Sequence, residues 1–407
     1  MTILHIVAGL PPGGGIAEAV PALCRHLRRL GHAVTIATLD GPLSAAAQLA
    51  EVEGVRIVRF TPAWPRSLYY SRAMRGGLAA LVACADLVHV HSHWTFPVWW
   101  GCHVARQLGK PLVMSPRGCL APVRLRRSAW KKRLAGIIDR YYLRRADLLH
   151  ATCHAEAEGV AQYVGGGGLG CQGSGFRVQG SGGTVALARS RLVVIPNGVE
   201  LMTGEGEIDR ATLDQRWPEC DGKQLALFLS RIDPIKGLDL LVAAWARMAP
   251  EFPAWHLLIA GPDEQGEEAR IRQKVQDAGL AARVTFCGPL YGREKVGVLR
   301  QAQFLVLPTY HENFGLVVAE ALASRVPVIT TRGAPWAELE STKSGWWVEI
   351  GVEPLVGALR AAMCMNEAVL HAMGERGAKL VERSYQWPGV ARQMADAYKQ
   401  IITNTLR

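Results

Sequence analysis

The stretch His311-Glu312-Asn313-Phe314-Gly315-Leu316, continued to Glu320, carries two carboxylates eight positions apart. The run before it, FLVLPT, reads as a strand, and GLVVAEALAS as a helix. Glu312 is therefore expected in a loop at the carboxyl end of a strand, where open α/β sheets take their ligands. Glu320 falls inside the helix among apolar neighbours and is expected to be nearly buried. A carboxylate there is costly unless donors bond to it, and vicinal ribose hydroxyls would serve. Phe314 and Gly315 should begin the helix, turning backbone N–H groups toward an anion.

A second stretch, Ser230-Arg231-Ile232-Asp233-Pro234-Ile235-Lys236-Gly237, also follows a strand and opens a helix. Arg231 and Lys236 flank one tight loop. Two cations and a helix start would neutralise a diphosphate, although two solvated loop cations would look the same in isolation. Gly13, Gly14 and Gly15, after Pro11-Pro12 and the first strand, form a third loop suited to a ligand. It matches neither GxGxxG nor GxxxxGK[ST], so neither the nicotinamide fingerprint nor the NTPase phosphate loop is met.

Two further clusters stand out. His89, His91 and His93 alternate, which places all three on one face of a strand end, with Trp94 beside them. No carboxylate or cysteine joins them at ligand spacing, so buried, hydrogen-bonded histidines are favoured over a metal site, and His93 and Trp94 are candidates for an acceptor pocket. Residues 124–133 hold six cations, Arg124, Arg126, Arg127, Lys131, Lys132 and Arg133, around Trp130. That density suits an anionic bilayer surface or a lipid-diphosphate acceptor, with a merely solvated basic face as the alternative.

The elements that must position these residues follow a βαβα rhythm, implying parallel sheets covered on both faces. Early strands are expected at 3–7, 33–38, 55–60, 87–91 and 111–115, with helices at 15–30, 71–84, 99–108 and 128–144. A second series of strands is expected at 192–195, 224–229, 256–260, 284–287, 304–307 and 326–330. Its helices fall at 238–248, 267–278, 293–301, 315–324, 353–363 and 367–381. Two Rossmann-like domains result, 1–190 and 191–385, followed by a crossover helix over 386–407. Residues 165–183, GGGGLGCQGSGFRVQGSGG, interrupt the rhythm and read as a disordered insertion without a catalytic role. A phosphate-cradling loop there would need a strand directly before it, and a helix is expected instead.

The 407 residues are 49% hydrophobic and 20% charged, an ordinary globular composition long enough for two cores. Residues 1–190 carry 22 Lys and Arg against 9 Asp and Glu, whereas 191–407 carry 24 against 26. The basic first half points to an anionic partner. Without an interleaved pattern of stacking aromatics, nucleic acid is not that partner. The N-terminus lacks the basic start of a signal peptide, and no apolar run is long enough to span a bilayer. Nine cysteines without a CxxC pair suit a reducing compartment and give no zinc signature. A cytoplasmic protein is expected, peripheral on the inner face of the plasma membrane through 124–133.

Taken together, the chain resembles the retaining GT-B glycosyltransferases of family 4, the glycosyl transferases group 1. The resemblance rests on GGGIAEAV after the first strand, IPNGV at 195–199 and SRIDPIKG at 230–237. IAGP at 259–262, FCGPL at 286–290 and ENFGLVVAE at 312–320 complete it, the last matching the family's E-x7-E motif. It implies two Rossmann-like domains facing across a cleft, with a final helix crossing back to the first after a bend at Tyr385-Gln386-Trp387-Pro388. It also implies that Glu312 faces the donor sugar, Glu320 binds the ribose, and Arg231 and Lys236 bind the diphosphate. Gly288 to Leu290 would lie by the base, and Asn313, Phe314, Gly315 and Leu316 would line the donor. Many members carry a histidine after the fifth strand. This chain has Met114-Ser115-Pro116-Arg117-Gly118 there, and Arg117 is the residue placed to take over part of that role.

The activity implied is transfer of a sugar from a nucleoside-diphosphate sugar to a hydroxyl of a glycan or lipid-linked acceptor, with retention, in envelope polysaccharide or glycolipid synthesis. Neither cofactor nor metal is expected. A sugar-nucleotide epimerase of the same fold and a non-catalytic glycan- or membrane-binding module are the alternatives.

Overall fold

The computed structural model describes residues 1–121, 129–165, 185–187, 190–200 and 208–405. The expected insertion at 165–183 lies, apart from Gly165, outside the described residues. So does the basic stretch as far as Ser128.

The chain divides into two units, Met1–Gly198 with Trp387–Arg407, and Val199–Gln386. The first unit holds β1 (Thr2–Ile6), β2 (Ala33–Leu39), β3 (Arg56–Phe60), β4 (Leu87–His91), β5 (Leu112–Ser115), β6 (Leu148–Ala151), β7 (Val185–Leu187) and β8 (Ser190–Val194). They form one sheet in the order β3-β2-β1-β4-β5-β6-β8-β7, parallel except for β7 against β8. Its helices are α1 (Gly15–Arg29), α2 (Ala45–Val52), α3 (Arg72–Ala83), α4 (Phe96–Gln107), α5 (Ala129–Leu143), α6 (His154–Gly165) and, from the end of the chain, α15 (Trp387–Thr405).

The second unit holds α7 (Arg210–Arg216), β9 (Gln224–Leu229), α8 (Leu238–Met248), β10 (Trp255–Ala260), α9 (Glu267–Asp277), β11 (Val284–Gly288) and α10 (Gly292–Gln301). It continues with β12 (Phe304–Leu307), α11 (Leu316–Ala323), β13 (Val328–Thr331), α12 (Glu338–Thr342), β14 (Gly345–Val348), α13 (Val352–Met363) and α14 (Glu367–Ser384). The sheet is wholly parallel, ordered β11-β10-β9-β12-β13-β14.

Both sheets thus contain the doubly wound order 3-2-1-4-5-6, whose direction of winding reverses between the first and fourth strands. The central strands are apolar on both faces because helices cover both. FLVL of β12 and WHLLIA of β10 are buried at every position. Trp245, Phe228 and Phe304 fill the second core. In the first unit, α1 contains Pro21, which has no N–H to give the carbonyl of Ala17. The Ser44 hydroxyl donates to that carbonyl at 2.6 Å, and its oxygen accepts from Ala47 N at the start of α2. One side chain thereby repairs one helix and caps the next. Helix α15 packs on α1, with Tyr398 fully buried and Trp387 stacked 6.2 Å from His26.

Several expectations change. The strand expected at 192–195 to open the second domain instead pairs with β6 and belongs to the first sheet. The unit boundary accordingly falls after Gly198 rather than after 190. An apolar run fixes a strand, not its partner. Strands β6, β7 and β14 and helices α2, α7 and α12 are additional, all short segments with weak periodicity. Helix α4 starts at Phe96, three residues earlier than expected, because Pro97 suits a first helical turn.

Candidate functional site

In the second unit the direction of winding reverses between β9 and β12, and the loops leaving their carboxyl ends carry Arg231, Lys236 and Glu312. Asp233 accepts from Ile235 N at 3.0 Å and starts a single 3-10 turn, Pro234–Lys236, which brings Lys236 back over the sheet. Gly237 follows with φ 72°, and a Cβ there would meet the Pro308 carbonyl at 2.0 Å. Only glycine lets the two loops approach this closely. They are joined by Tyr310 N donating to Ile235 O at 2.8 Å and by the Thr309 hydroxyl donating to the same carbonyl at 3.0 Å.

The Lys236 ammonium donates to Glu312 Oε2, and Glu312 Oε1 accepts from Asn313 N at 3.2 Å. The Lys236 side chain is 10% exposed and that of Glu312 18%. Glu312 N donates to Gly333 O at 2.7 Å, which fixes the loop on the β13 side. The Arg231 guanidinium lies 3.3 Å from Glu264 and 3.7 Å from Asp233. The structure therefore brings Lys236 and Glu312 into direct contact, with Arg231 on the same sheet edge.

Helix α11 begins at Leu316, one residue later than expected, with Gly315 as its N-cap at φ 79°. The Phe314 ring is buried between Trp336 and Tyr385, at centroid distances of 5.4 and 5.8 Å, and its carbonyl accepts from Trp336 Nε1 at 2.5 Å. Glu320 is less buried than expected. Its side chain is 27% exposed, and Oε1 accepts from Lys295 Nζ at 2.7 Å. Gly288 ends β11, and its carbonyl accepts from Gly261 N at 2.9 Å. Leu290 is 4% exposed and belongs to the core, so its backbone is what it can offer a ligand. Lys295, Glu264 and Asp233 were not singled out in the sequence. Lys295 stands 25 positions from its partner, and no spacing rule links them.

In the first unit, Gly13 lies in the turn before α1, Gly14 is the N-cap and Gly15 is the first helical residue. Three non-glycine residues at the carboxyl ends of β4 and β5 adopt left-handed backbone, Ser92 at φ 76°, Trp94 at 57° and Arg117 at 55°. Such outliers collect at functional sites. The turn at Ser92 carries His93 out of the strand register, so the expected three-histidine face is not formed. His93 is buried 3.5 Å from Asp139 of α5, and Asp139 accepts from Trp99 Nε1 at 2.7 Å. Arg117 is half-buried, donates to Asn197 Oδ1 and leaves its buried Nε without a hydrogen bond. Burial holds its guanidinium below the usual value, against the pull of Glu156. The candidate residues Arg126 and Arg127 lie outside the described residues. Lys131 and Lys132 fall in the first turns of α5.

His89 and His91 instead meet His5 of β1, and the three offer nitrogens within 4.8 Å of one another. His5 Nδ1 and His91 Nε2 are hydrogen-bonded at 2.9 Å, and both His89 nitrogens are engaged. The hydrogen bonds through His89 run in one direction. His150 Nε2 faces the Ile195 carbonyl at 2.8 Å and must carry the hydrogen. Burial, reinforced by the Arg117 charge, lowers His150 to about 3, so its ring is neutral and Nδ1 accepts from Ser115 Oγ at 2.7 Å. Ser115 Oγ then accepts from His89 Nε2 at 2.6 Å, and neutral His89 accepts from the Tyr398 hydroxyl at 2.6 Å. Four polar bonds thus tie α15 across β4, β5 and β6 to the residue after β8.

The glycosyl transferases group 1 model matches residues 209–380, and the glycosyl transferase 4-like domain matches residues 14–167. The chain is 27% identical over 412 residues to the GDP-mannose:cellobiosyl-diphosphopolyprenol alpha-mannosyltransferase of Xanthomonas campestris, covering 98% of this chain and 96% of that protein. It is 28% identical over 226 residues to the D-inositol 3-phosphate glycosyltransferase of Salinispora tropica, covering 52% of this chain and 47% of that one. Sucrose-phosphate synthase from Thermosynechococcus elongatus aligns with TM-score 0.73 at 23% identity over 99% of each chain. HepE from Anabaena in complex with UDP-glucose aligns with TM-score 0.74 at 18% identity, over 98% of this chain and 100% of that one. The solved structures show the fold, two Rossmann-like units of GT-B type. The two family models, one on each unit, show that this chain belongs to the glycosyl transferases group 1 and is a glycosyltransferase.

Proposed function

We propose that the protein transfers a sugar from a nucleoside-diphosphate sugar to a hydroxyl of a glycan or lipid-linked acceptor, with retention of anomeric configuration, in envelope polysaccharide or glycolipid synthesis. The observation that carries this reading is the Lys236–Glu312 contact at the point where the second sheet reverses its winding, with Arg231 in the loop that leads to Lys236 and Glu320 in the helix that follows Glu312. In the reaction the bond from the anomeric carbon to the diphosphate breaks and a bond to the acceptor oxygen forms. Negative charge grows on the departing diphosphate, positive charge on the sugar ring. Cations fixed in place before the reaction stabilise such a separation more than mobile solvent does. Lys236 and Arg231 supply them, so the reading needs no metal, and transfer is expected to survive chelation by EDTA. Glu312 orients sugar hydroxyls beside the positive centre, with Asn313 to Leu316 lining the donor. Glu320 takes the ribose, and the backbone of Gly288 to Leu290 flanks the base.

Gly13 to Gly15 are assigned to the donor, Arg117 to the reaction, and His93 and Trp94 to the acceptor. The Xanthomonas relative is named for a diphosphopolyprenol acceptor, which supports a lipid-linked acceptor here. Helix α5 supports a peripheral position on the cytoplasmic face of the plasma membrane. Ile137 is 65% exposed, Tyr141 50% and Ile138 43%, and positions 137, 138 and 141 fall on one face of the helix. Among the described residues no helix is long and apolar enough to cross a membrane. The test is an acceptor-requirement assay. A transferase releases nucleoside diphosphate in proportion to acceptor glycosylated, whereas turnover of the sugar nucleotide at full rate without acceptor would support the epimerase instead.

A further inference from the structure

We infer that Lys295 is a positioning residue for the ribose of the nucleotide, holding one oxygen of Glu320 so that the other is presented to the ribose hydroxyls. This rests on the donor reading above. Lys295 stands in the first turn of α10 and Glu320 in the middle of α11, with Nζ 2.7 Å from Oε1. Helix α10 is the crossover that returns from edge strand β11 to β12, which is why residues 25 apart meet at the carboxyl end of the sheet.

The pair is about one-quarter exposed on each side. An ion pair that exposed contributes too little to the fold to make it a determinant of stability. Its geometric effect is larger. Glu320 sits between Ala319 and Ala321, both fully buried, so its side chain leaves the helix beside an apolar face. A charge-assisted bond from Lys295 selects one rotamer. A carboxylate held in its binding geometry loses less side-chain entropy when a ligand arrives. Lys295 also follows the loop Gly288 to Tyr291 by only four residues, so it links the segment assigned to the base with the carboxylate assigned to the ribose.

The experiment measures dissociation constants of UDP and GDP, each beside its 2′,3′-dideoxy counterpart, by calorimetry. It uses the full chain, Lys295→Met, Lys295→Gln, Lys295→Arg and Glu320→Gln, with thermal melts to check folding. For the nucleotide that binds, the natural protein should prefer the ribo form by about 10-fold or more, the worth of a hydrogen bond to a charged group. Lys295→Met should lose most of that preference while its affinity for the dideoxy form stays within about 2-fold. Lys295→Gln should lose part, and Lys295→Arg should keep it. An unchanged preference in Lys295→Met, or equal weakening of both forms, overturns the inference; if Lys295→Met does not fold, Lys295→Gln is read in the same way. Failure of the donor reading looks different, because then either the natural protein shows no ribo preference or Glu320→Gln retains it in full.

Discussion

The ammonium of Lys236 donates to Glu312 Oε2, so the cation assigned to the diphosphate and the carboxylate assigned to the sugar are in contact before any donor binds. A positive group pinned beside the reacting centre needs no reorganisation when the diphosphate departs. Lys236→Ala should therefore lower turnover by about 10²-fold or more, with a circular dichroism spectrum like that of the natural protein. Steady-state transfer kinetics check this, and near-normal turnover removes Lys236 from the diphosphate.

The approach of the two loops depends on Gly237. Gly237→Ala places a Cβ against the Pro308 carbonyl in a left-handed backbone. Urea denaturation should show a loss of about 2 kcal/mol or more, and activity should fall with it because Lys236 is the adjacent residue.

The buried histidines make the fold acid-sensitive. His5 is lowered to about 3 by burial and then by the Arg117 charge, and His150 likewise; His89 is held well below 6.5 by burial and then by neighbouring rings, and His91 by burial and then by the Arg117 charge. The unfolded chain binds these protons near pH 6.5 and the folded chain does not. The stabilisation is thus complete above about pH 6.5 and is lost as pH falls below it. The slope approaches about 5 kcal/mol per pH unit if all four rings take part. Denaturant melts from pH 7.5 to 5.0 should show it before carboxylates titrate, and a flat profile would contradict the neutral network.

Membrane attachment is tested by sedimentation with vesicles. Binding should be stronger to phosphatidylglycerol vesicles than to neutral ones and should weaken as salt rises. The double variant Ile137→Ser, Tyr141→Ser should reduce it. Equal partition to both vesicle types at low salt excludes the basic surface as the anchor.

Much of this was legible in the sequence because it is local. FLVLP and ALFLS read as buried parallel strands, and the residues just after such strands must lie at the ligand edge of the sheet, which located Arg231, Lys236 and Glu312. What needed the fold was long-range. The partner of Glu320 is set by the α10 crossover. β8 joins the first sheet because β6 lies beside it, a strand the apolar pattern did not reveal. His93 leaves the face of His89 and His91 because Ser92 turns left-handed, and nothing in HVHSHW marks that turn. The buried wire from Tyr398 to Ile195 joins residues as far as 309 positions apart, beyond any periodicity.

The central claim, that one nucleoside-diphosphate sugar binds on Lys236, Arg231 and the two glutamates of the second unit, is tested most directly by thermal protection. A panel of UDP-, GDP-, ADP- and dTDP-sugars is scanned against the natural protein and Lys236→Ala. One donor should raise the melting temperature of the natural protein in a concentration-dependent way and leave that of Lys236→Ala nearly unmoved. Equal protection of both proteins, or protection of neither by any sugar nucleotide, would contradict it.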